Sequence, residues 1–318
     1  MTSDLFNGRS IFGFIMMLCI MCWQSTSYAQ AASDSSLGEK ILDKVLDKPD
    51  RDSIHVYSMN YWRSAAFSAA ATAANIYAIP NLIKAKKPLT DMELTSLNRD
   101  AIHKWDRWVL DQDPGNRENI DRISDKILTA TVIGGAGVFL DKKIRKDWFR
   151  VAVMYVEVQA ATFTIYNFSP FGPSFQNKIR PAAYYEELPL SVRKDGNMRN
   201  SFYSGHVANA AASAFFLVKV YGDYHPELGR KKYFLYALAS VPPLTMSYLR
   251  ARALFHFPSD CVTGFLVGAT AGIIIPEAHK LSKRKNLKNL DVSVVTPAGP
   301  GVSLTWRLEG KERVISGF

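Results

Sequence analysis

Cysteine is scarce. The 318 residues hold three, and two of these, Cys19 and Cys22, sit in an N-terminal apolar run whose removal would leave Cys261 as the single thiol. A disulfide framework or a cysteine-built zinc cluster is thereby excluded. Acidic residues are also in deficit, 29 Asp+Glu against 39 Lys+Arg, which gives a formal net charge of +10. The basic residues fall in short scattered clusters, not in one stripe interleaved with aromatics, so no nucleic-acid partner is expected. Phosphate groups or an anionic membrane surface fit the excess better. Internal repeats and low-complexity tracts are missing. So is the clearly positive mean hydropathy of a polytopic membrane protein rich in Leu and Ile, the value being −0.07. What is present excludes disorder: 47% apolar and 12% aromatic residues, enough for one sizeable core or two modest ones.

The first thirty residues read as an export signal. Arg9 precedes the uncharged stretch Ile11 to Trp23, and Ser27-Tyr28-Ala29 gives a small-x-small cleavage site. Thirteen apolar residues are short for crossing hydrocarbon. Cutting after Ala29 removes Asp4 and Arg9 together and leaves the charge unchanged. The chain is therefore expected in a bacterial-type cell envelope. Residues 30–60 are polar and form a loosely packed entry segment, with a short helix possible at Gly38 to Leu46.

From 61 to 281 the chain alternates apolar stretches with short polar connections, and helical spacing prevails over strand alternation. The stretches are Ala65–Ile83, Ile127–Leu140, Val151–Phe168, His206–Gly222, Tyr233–Leu249 and Cys261–Pro276. An all-α bundle of about six core helices, embedded in a membrane, is expected. Basic clusters follow Ile83, Leu140 and Pro276 and precede Tyr233. Placing all four on the cytoplasmic side works with five crossings, provided the second stretch does not cross. Residues 282–318 form a basic linker and two alternating runs around Thr-Pro-Ala-Gly-Pro-Gly, which predicts a small C-terminal β-hairpin.

Three segments gather histidine and arginine among the apolar helices: Lys178-Ile179-Arg180-Pro181, Ser204-Gly205-His206, and Arg250 with His256 and Asp260. His256 and Asp260 are four apart and Pro258 suits a first helical turn, so the carboxylate is expected to face the imidazole. An Asp accepting the Nδ1 proton leaves Nε2 free to attack. Ser204 is a natural N-cap and Gly205 leaves backbone amides uncovered, so an anion can sit there with His206 beside it as general acid. Arg180 and Arg250 offer planar forks that match phosphate oxygens.

These residues resemble the phosphatidic acid phosphatase type 2 superfamily, which spans lipid phosphate phosphatases, bacterial acid phosphatases and vanadium haloperoxidases and is marked by KxxxxxxRP, PSGH and SRxxxxxHxxxD. Arg180-Pro181 matches the end of the first motif. Tyr203-Ser204-Gly205-His206 matches the second except for its proline, and Leu249-Arg250 with His256 and Asp260 matches the third except for its serine. The resemblance covers about residues 61–281. It implies a phosphohistidine on His256 oriented by Asp260, protonation of the leaving group by His206, and phosphoryl oxygens held by Arg180, Arg250, Ser204 and Gly205. It implies no metal and no cofactor. The family lysine falls on Pro173 here; Lys178 is the candidate to supply its charge, and losing one such cation would cost on the order of 10²-fold in rate.

The expected function is hydrolysis of a phosphomonoester or diphosphate, of a lipid, at a periplasm-facing site. The alternatives are a soluble periplasmic acid phosphatase of broad specificity, a haloperoxidase, and a degenerate member that binds lipid without turnover.

Overall fold

The computed structural model describes residues 55–281, together with the backbone of 290–295 and 301–306. The expected signal peptide, most of the polar segment 30–60, Cys19, Cys22 and the basic residues 282–289 lie outside the described residues. Seven helices of eight residues or more occur among the described residues. They are α1 (Tyr61–Ala85), α2 (Arg117–Gly135), α3 (Trp148–Phe168), α4 (Gly205–Tyr224), α5 (Lys232–Ala239), α6 (Val241–Arg252) and α7 (Pro258–Leu281). The all-helical reading of 61–281 is borne out. The stretch expected to run from Tyr233 to Leu249 is divided at Ser240, because Pro242 and Pro243 supply no amide for the helical ladder. The backbone at Leu290–Val295 and Gly301–Trp306 pairs antiparallel, Leu290 opposite Trp306.

The helix starts follow local chemistry. Asn60 caps α1 by accepting from the Arg63 amide, and Pro258 is the first residue of α7, where its missing N–H costs nothing. The closest packing in the bundle is α4 against α7. Gly264, Gly268 and Gly272 recur every fourth residue of α7, and a Cβ at each would meet backbone of Ser204, Ala208 and Ala212 respectively. Small residues at this spacing let two helix backbones touch. That contact fixes the first turn of α4 beside the first turn of α7.

The described residues run up and down six times, with α5 and α6 sharing one length. Ser58 donates its amide to His279 O at 3.0 Å, so the start of α1 lies beside the end of α7. At the opposite end Lys86 Nζ donates to Gln176 O and Asn177 Oδ1, both at 2.7 Å. The cluster after Ile83 thus lies on the end that carries Arg180, away from Lys142, Lys143 and Lys280. Both α1 and α2 run the length of the bundle.

The charges that interrupt the apolar stretches are paired at the far end. Buried Lys219 bonds Asp223 and lies 2.6 Å from Glu277. Lys280 reaches Asp223 at 2.6 Å, Tyr57 donates to the same carboxylate at 2.8 Å, and Glu157 meets His279 at 2.8 Å. Among the described residues, Pro114–Leu140 and Pro258–Lys280 are long and apolar enough to cross a membrane. Large apolar side chains, among them Trp62, Tyr77, Phe234, Leu244, Leu266 and Ile274, stand exposed on the outer faces of α1, α5, α6 and α7.

Candidate active site

Helix α6 ends in two bonds, Phe255 N–H to Arg250 O at 3.1 Å and Leu254 N–H to Ala251 O at 3.0 Å. This is the Schellman arrangement, whose left-handed residue is usually glycine. Here it is Leu254, at φ +61°. Its side chain is fully buried with Leu89, Leu110 and Phe257, and that burial offsets a backbone penalty of about 1–2 kcal/mol. The reversal turns Phe255 and His256 back onto the bundle, two residues before α7 begins.

The Phe255 ring is a hub for guanidinium groups. Arg250 lies 4.1 Å from its centre, Arg180 4.8 Å and Arg117 5.5 Å. Arg250 Nη1 donates to Asp121 Oδ1 at 2.5 Å and to Ser124 Oγ at 3.0 Å, both on α2. Arg180 comes from the segment between α3 and α4, its backbone N–H on Met198 O at 2.7 Å and its Nε on Asn200 O at 3.2 Å. Burial, and after it the neighbouring Arg250, pull the Arg180 guanidinium down to about 10, with Arg117 adding to the repulsion. Arg180 Nη1, Arg250 Nε, Arg117 Nε and Ser204 Oγ are all buried without a hydrogen-bond partner. Each such donor costs about 1–3 kcal/mol when left unsatisfied. Four of them at one end of a bundle call for an acceptor between them.

His256 is 2% exposed and its Nδ1 lies 2.6 Å from the backbone oxygen of Ser201. A carbonyl can only accept, so Nδ1 carries the proton and Nε2 of the neutral ring keeps a bare lone pair. The expected His256–Asp260 pairing is not made. Asp260 Oδ1 accepts from Lys178 Nζ at 2.7 Å, while Oδ2 accepts from Ser201 Oγ at 2.6 Å and from the Phe257 amide at 2.8 Å. The spacing argument placed both residues on one helical face, but α7 starts at Pro258 and His256 precedes it. The carboxylate turns back to cap its own helix and holds Ser201, whose carbonyl in turn holds the imidazole.

Burial first, then Arg180 and Arg250, push His256 well below the ordinary imidazole value. A histidine kept neutral in the fold binds fewer protons than it does unfolded once pH falls below about 6.5. Stability is therefore lost as pH drops through that value and into the acid range. Removing the imidazole in His256→Asn is expected to flatten this dependence by up to about 1.4 kcal/mol per pH unit, read from denaturation midpoints between pH 7 and 5. An unchanged slope would refute the buried neutral imidazole.

His206 lies in the first turn of α4 with Nε2 3.0 Å from Asp125 Oδ1 of α2. The imidazole–carboxylate pair thus exists at the other histidine. Ser204 holds the N-cap position as expected, yet its hydroxyl caps nothing and stays unpartnered; its backbone N–H donates to Asp260 O at 3.1 Å. At Gly205 a Cβ would stand 3.0 Å from the Tyr166 ring, a packing reason for glycine beside the open amides. Electrostatic coupling joins His256 to Arg180, Arg250 and His206.

Lys178 belongs to the same end but not to the guanidinium cluster. Its ammonium sits on Asp260, at 3.0 Å from Ser259 Oγ and 3.6 Å from Asp106 Oδ2, and 4.8 Å from the Phe257 ring centre. Its charge is matched by the carboxylates of Asp260 and Asp106, behind His256.

Five residues of the site carried no signal by themselves. Arg117, Asp121, Ser124 and Asp125 form one face of α2, and their four-residue spacing in Arg-Glu-Asn-Ile-Asp-Arg-Ile-Ser-Asp could have disclosed a polar stripe. Ser201 acts through its carbonyl, which no residue type announces.

The sequence matches the family model of the PAP2 superfamily over residues 152–284, which bears out the resemblance read from the three motifs. No curated protein matches the chain. Among solved structures it is similar to the crystal structure of a transmembrane PAP2 type phosphatidylglycerolphosphate phosphatase from Bacillus subtilis. Sequence identity is 18% and the TM-score 0.36, and the match covers 71% of this chain and 96% of that one. Arg117, Asp121 and Asp125 fall before the family match begins.

Proposed function

We propose that this PAP2-superfamily domain hydrolyses the phosphate ester of a lipid through a phosphohistidine on His256. The observation that carries the reading is the group of buried, unpartnered donors on Arg180, Arg250 and Ser204 beside two imidazoles. Nε2 of His256 attacks phosphorus, the bond to the leaving oxygen breaks, and His206 gives that oxygen its proton. The same ring then takes a proton from water as it attacks the phosphohistidine, which releases inorganic phosphate and restores His256. The guanidiniums hold the charge that spreads over the phosphoryl oxygens in flight. Asp125 orients His206, and Ser201 holds the tautomer of His256.

A lipid is favoured by what lies next to the site. Between α6 and α7 an apolar groove of about 280 Å³ is lined by Trp108, Leu244, Tyr248, Val262, Phe265 and Leu266, and it reaches Ala251 and Pro258. Ala251 follows Arg250 directly, and Pro258 comes two residues after His256. An acyl chain fits such a wall, and the exposed apolar side chains of α1, α5, α6 and α7 suit hydrocarbon. The basic residues after Leu140 and before Tyr233, with Lys280, lie at the far end and favour that end in the cytoplasm and the site outside it.

The test is phosphate release by the purified protein from detergent-dispersed phosphatidate and from glycerol phosphate, with alkaline carbonate washing of the membranes that contain it. Release from the lipid at a kcat/KM at least tenfold above that for glycerol phosphate, with the protein retained in the pellet, is the expected result. Equal turnover of both and recovery in the supernatant would mean a soluble acid phosphatase. No release from either would leave only a binding role.

A further inference from the structure

Resting on the phosphatase reading, we infer that Arg117 is the third phosphate-binding cation of the site and fills the role of the family lysine that is absent at Pro173.

Arg117 opens α2 and is 8% exposed. Its guanidinium lies 5.5 Å from the centre of the ring that Arg180 and Arg250 also flank. Among the described residues it makes no ion pair, and its Nε is buried without an acceptor. A cation buried in this way is costly unless an anion arrives. Packing on Phe255 alone does not explain the choice, since an apolar side chain would cover the ring without the desolvation. The three arginines repel one another, and this repulsion adds to burial in pulling Arg180 down. Only a ligand of opposite sign relieves both the repulsion and the missing acceptors.

The charge balance also names the ligand. Of the three guanidiniums, Arg250 is matched by Asp121, and Asp125 is engaged with His206. Asp121 and Glu118 act on Arg117 only at longer range, so Arg117 and Arg180 are left without a direct carboxylate partner among the described residues. A phosphomonoester above its second ionisation, near pH 6, carries close to two negative charges, whereas a phosphodiester carries one. The pocket thus suits the terminal phosphate of a monoester dianion. Arg117 approaches that phosphate from α2, a helix outside the segment 152–284, and so compensates in space for a residue lost from the sequence motif.

The experiment compares wild type, Arg117→Gln and Arg117→Lys in two assays: turnover of a short-chain phosphatidate, and thermal stabilisation by inorganic phosphate at pH 7.5. Arg117→Gln is expected to raise KM and the inhibition constant of inorganic phosphate about tenfold or more, as a lost charge-assisted bond would. Arg117→Lys, which keeps the charge, should recover part of both. Phosphate should stabilise wild type, Arg117→Lys less, and Arg117→Gln least. Unchanged inhibition and unchanged stabilisation in both variants would overturn the inference, because a residue that only packs on Phe255 would leave phosphate affinity alone. Should Arg117→Gln fail to fold, Arg117→Lys decides by the same readouts. Should wild type bind phosphate yet turn over no ester, the phosphatase reading fails while the role of Arg117 is still decided by the stabilisation assay.

Discussion

Substitution of His256 by alanine is expected to remove phosphate release altogether, by at least about 10⁴-fold, since losing a nucleophile leaves only the binding and electrostatic contribution to rate. Its fold should survive: the ring is buried, but the bond it loses is a single one to the Ser201 carbonyl. The paired variant His206→Ala separates the two imidazoles. With a substrate whose leaving oxygen needs no proton, such as a nitrophenyl phosphate, His256 can still be phosphorylated, but no base remains to activate water. Radiolabelled phosphate should then stay on His206→Ala and never appear on His256→Ala. Label on His256→Ala, or unchanged turnover in it, would reject the mechanism at its centre.

The second large effect concerns a residue that touches no substrate. Asp260 is completely buried and takes part in three bonds, to Lys178, Ser201 and the Phe257 amide. Asp260→Asn keeps the shape but loses the charge that holds Lys178, and leaves the Ser201 hydroxyl a poorer acceptor. Because Asp260 reaches His256 only through Ser201, its loss should reduce kcat by about 10²- to 10³-fold with KM changed little. Ser201→Ala removes the hydroxyl but keeps the carbonyl that holds the imidazole, so it should cost about tenfold. If the carboxylate acts through Ser201, the double variant falls short of the product of the single effects, as in any pair coupled through one contact. Strict additivity would mean that Asp260 acts on His256 by another route, and an effect confined to KM would mean that it serves the phosphate directly.

These two predictions differ in what the sequence contributed to them. His256, Arg250 and Asp260 stand within eleven residues, so a reader of the chain meets them together, and the helix beginning at Pro258 is likewise a local matter of proline and spacing. The partner of His256 is not local. Ser201 lies 55 residues away and offers its backbone, and spacing alone suggested Asp260 instead. His206 fared similarly: Ser204-Gly205-His206 was legible as a helix start, while Asp125, 81 residues before His206, was not. Lys178 lies at the expected end, and its pairing with Asp260, 82 residues on, was not legible.

By itself the sequence determined the helical class, the approximate reach of the apolar stretches, the resemblance to the PAP2 superfamily and the choice of two imidazoles and two guanidiniums as candidates. Each of these is encoded in periodicity or in motifs a few residues long. Tertiary structure decided the rest: that α1 and α2 both traverse the bundle, which carboxylate meets which histidine, and that a third arginine joins the other two around Phe255. The physical reason is the same in every case. Hydrogen bonds and charge pairs between helices depend on which faces the glycine contacts of α4 and α7 and the reversal at Leu254 bring together, and those faces are set by packing across the whole domain.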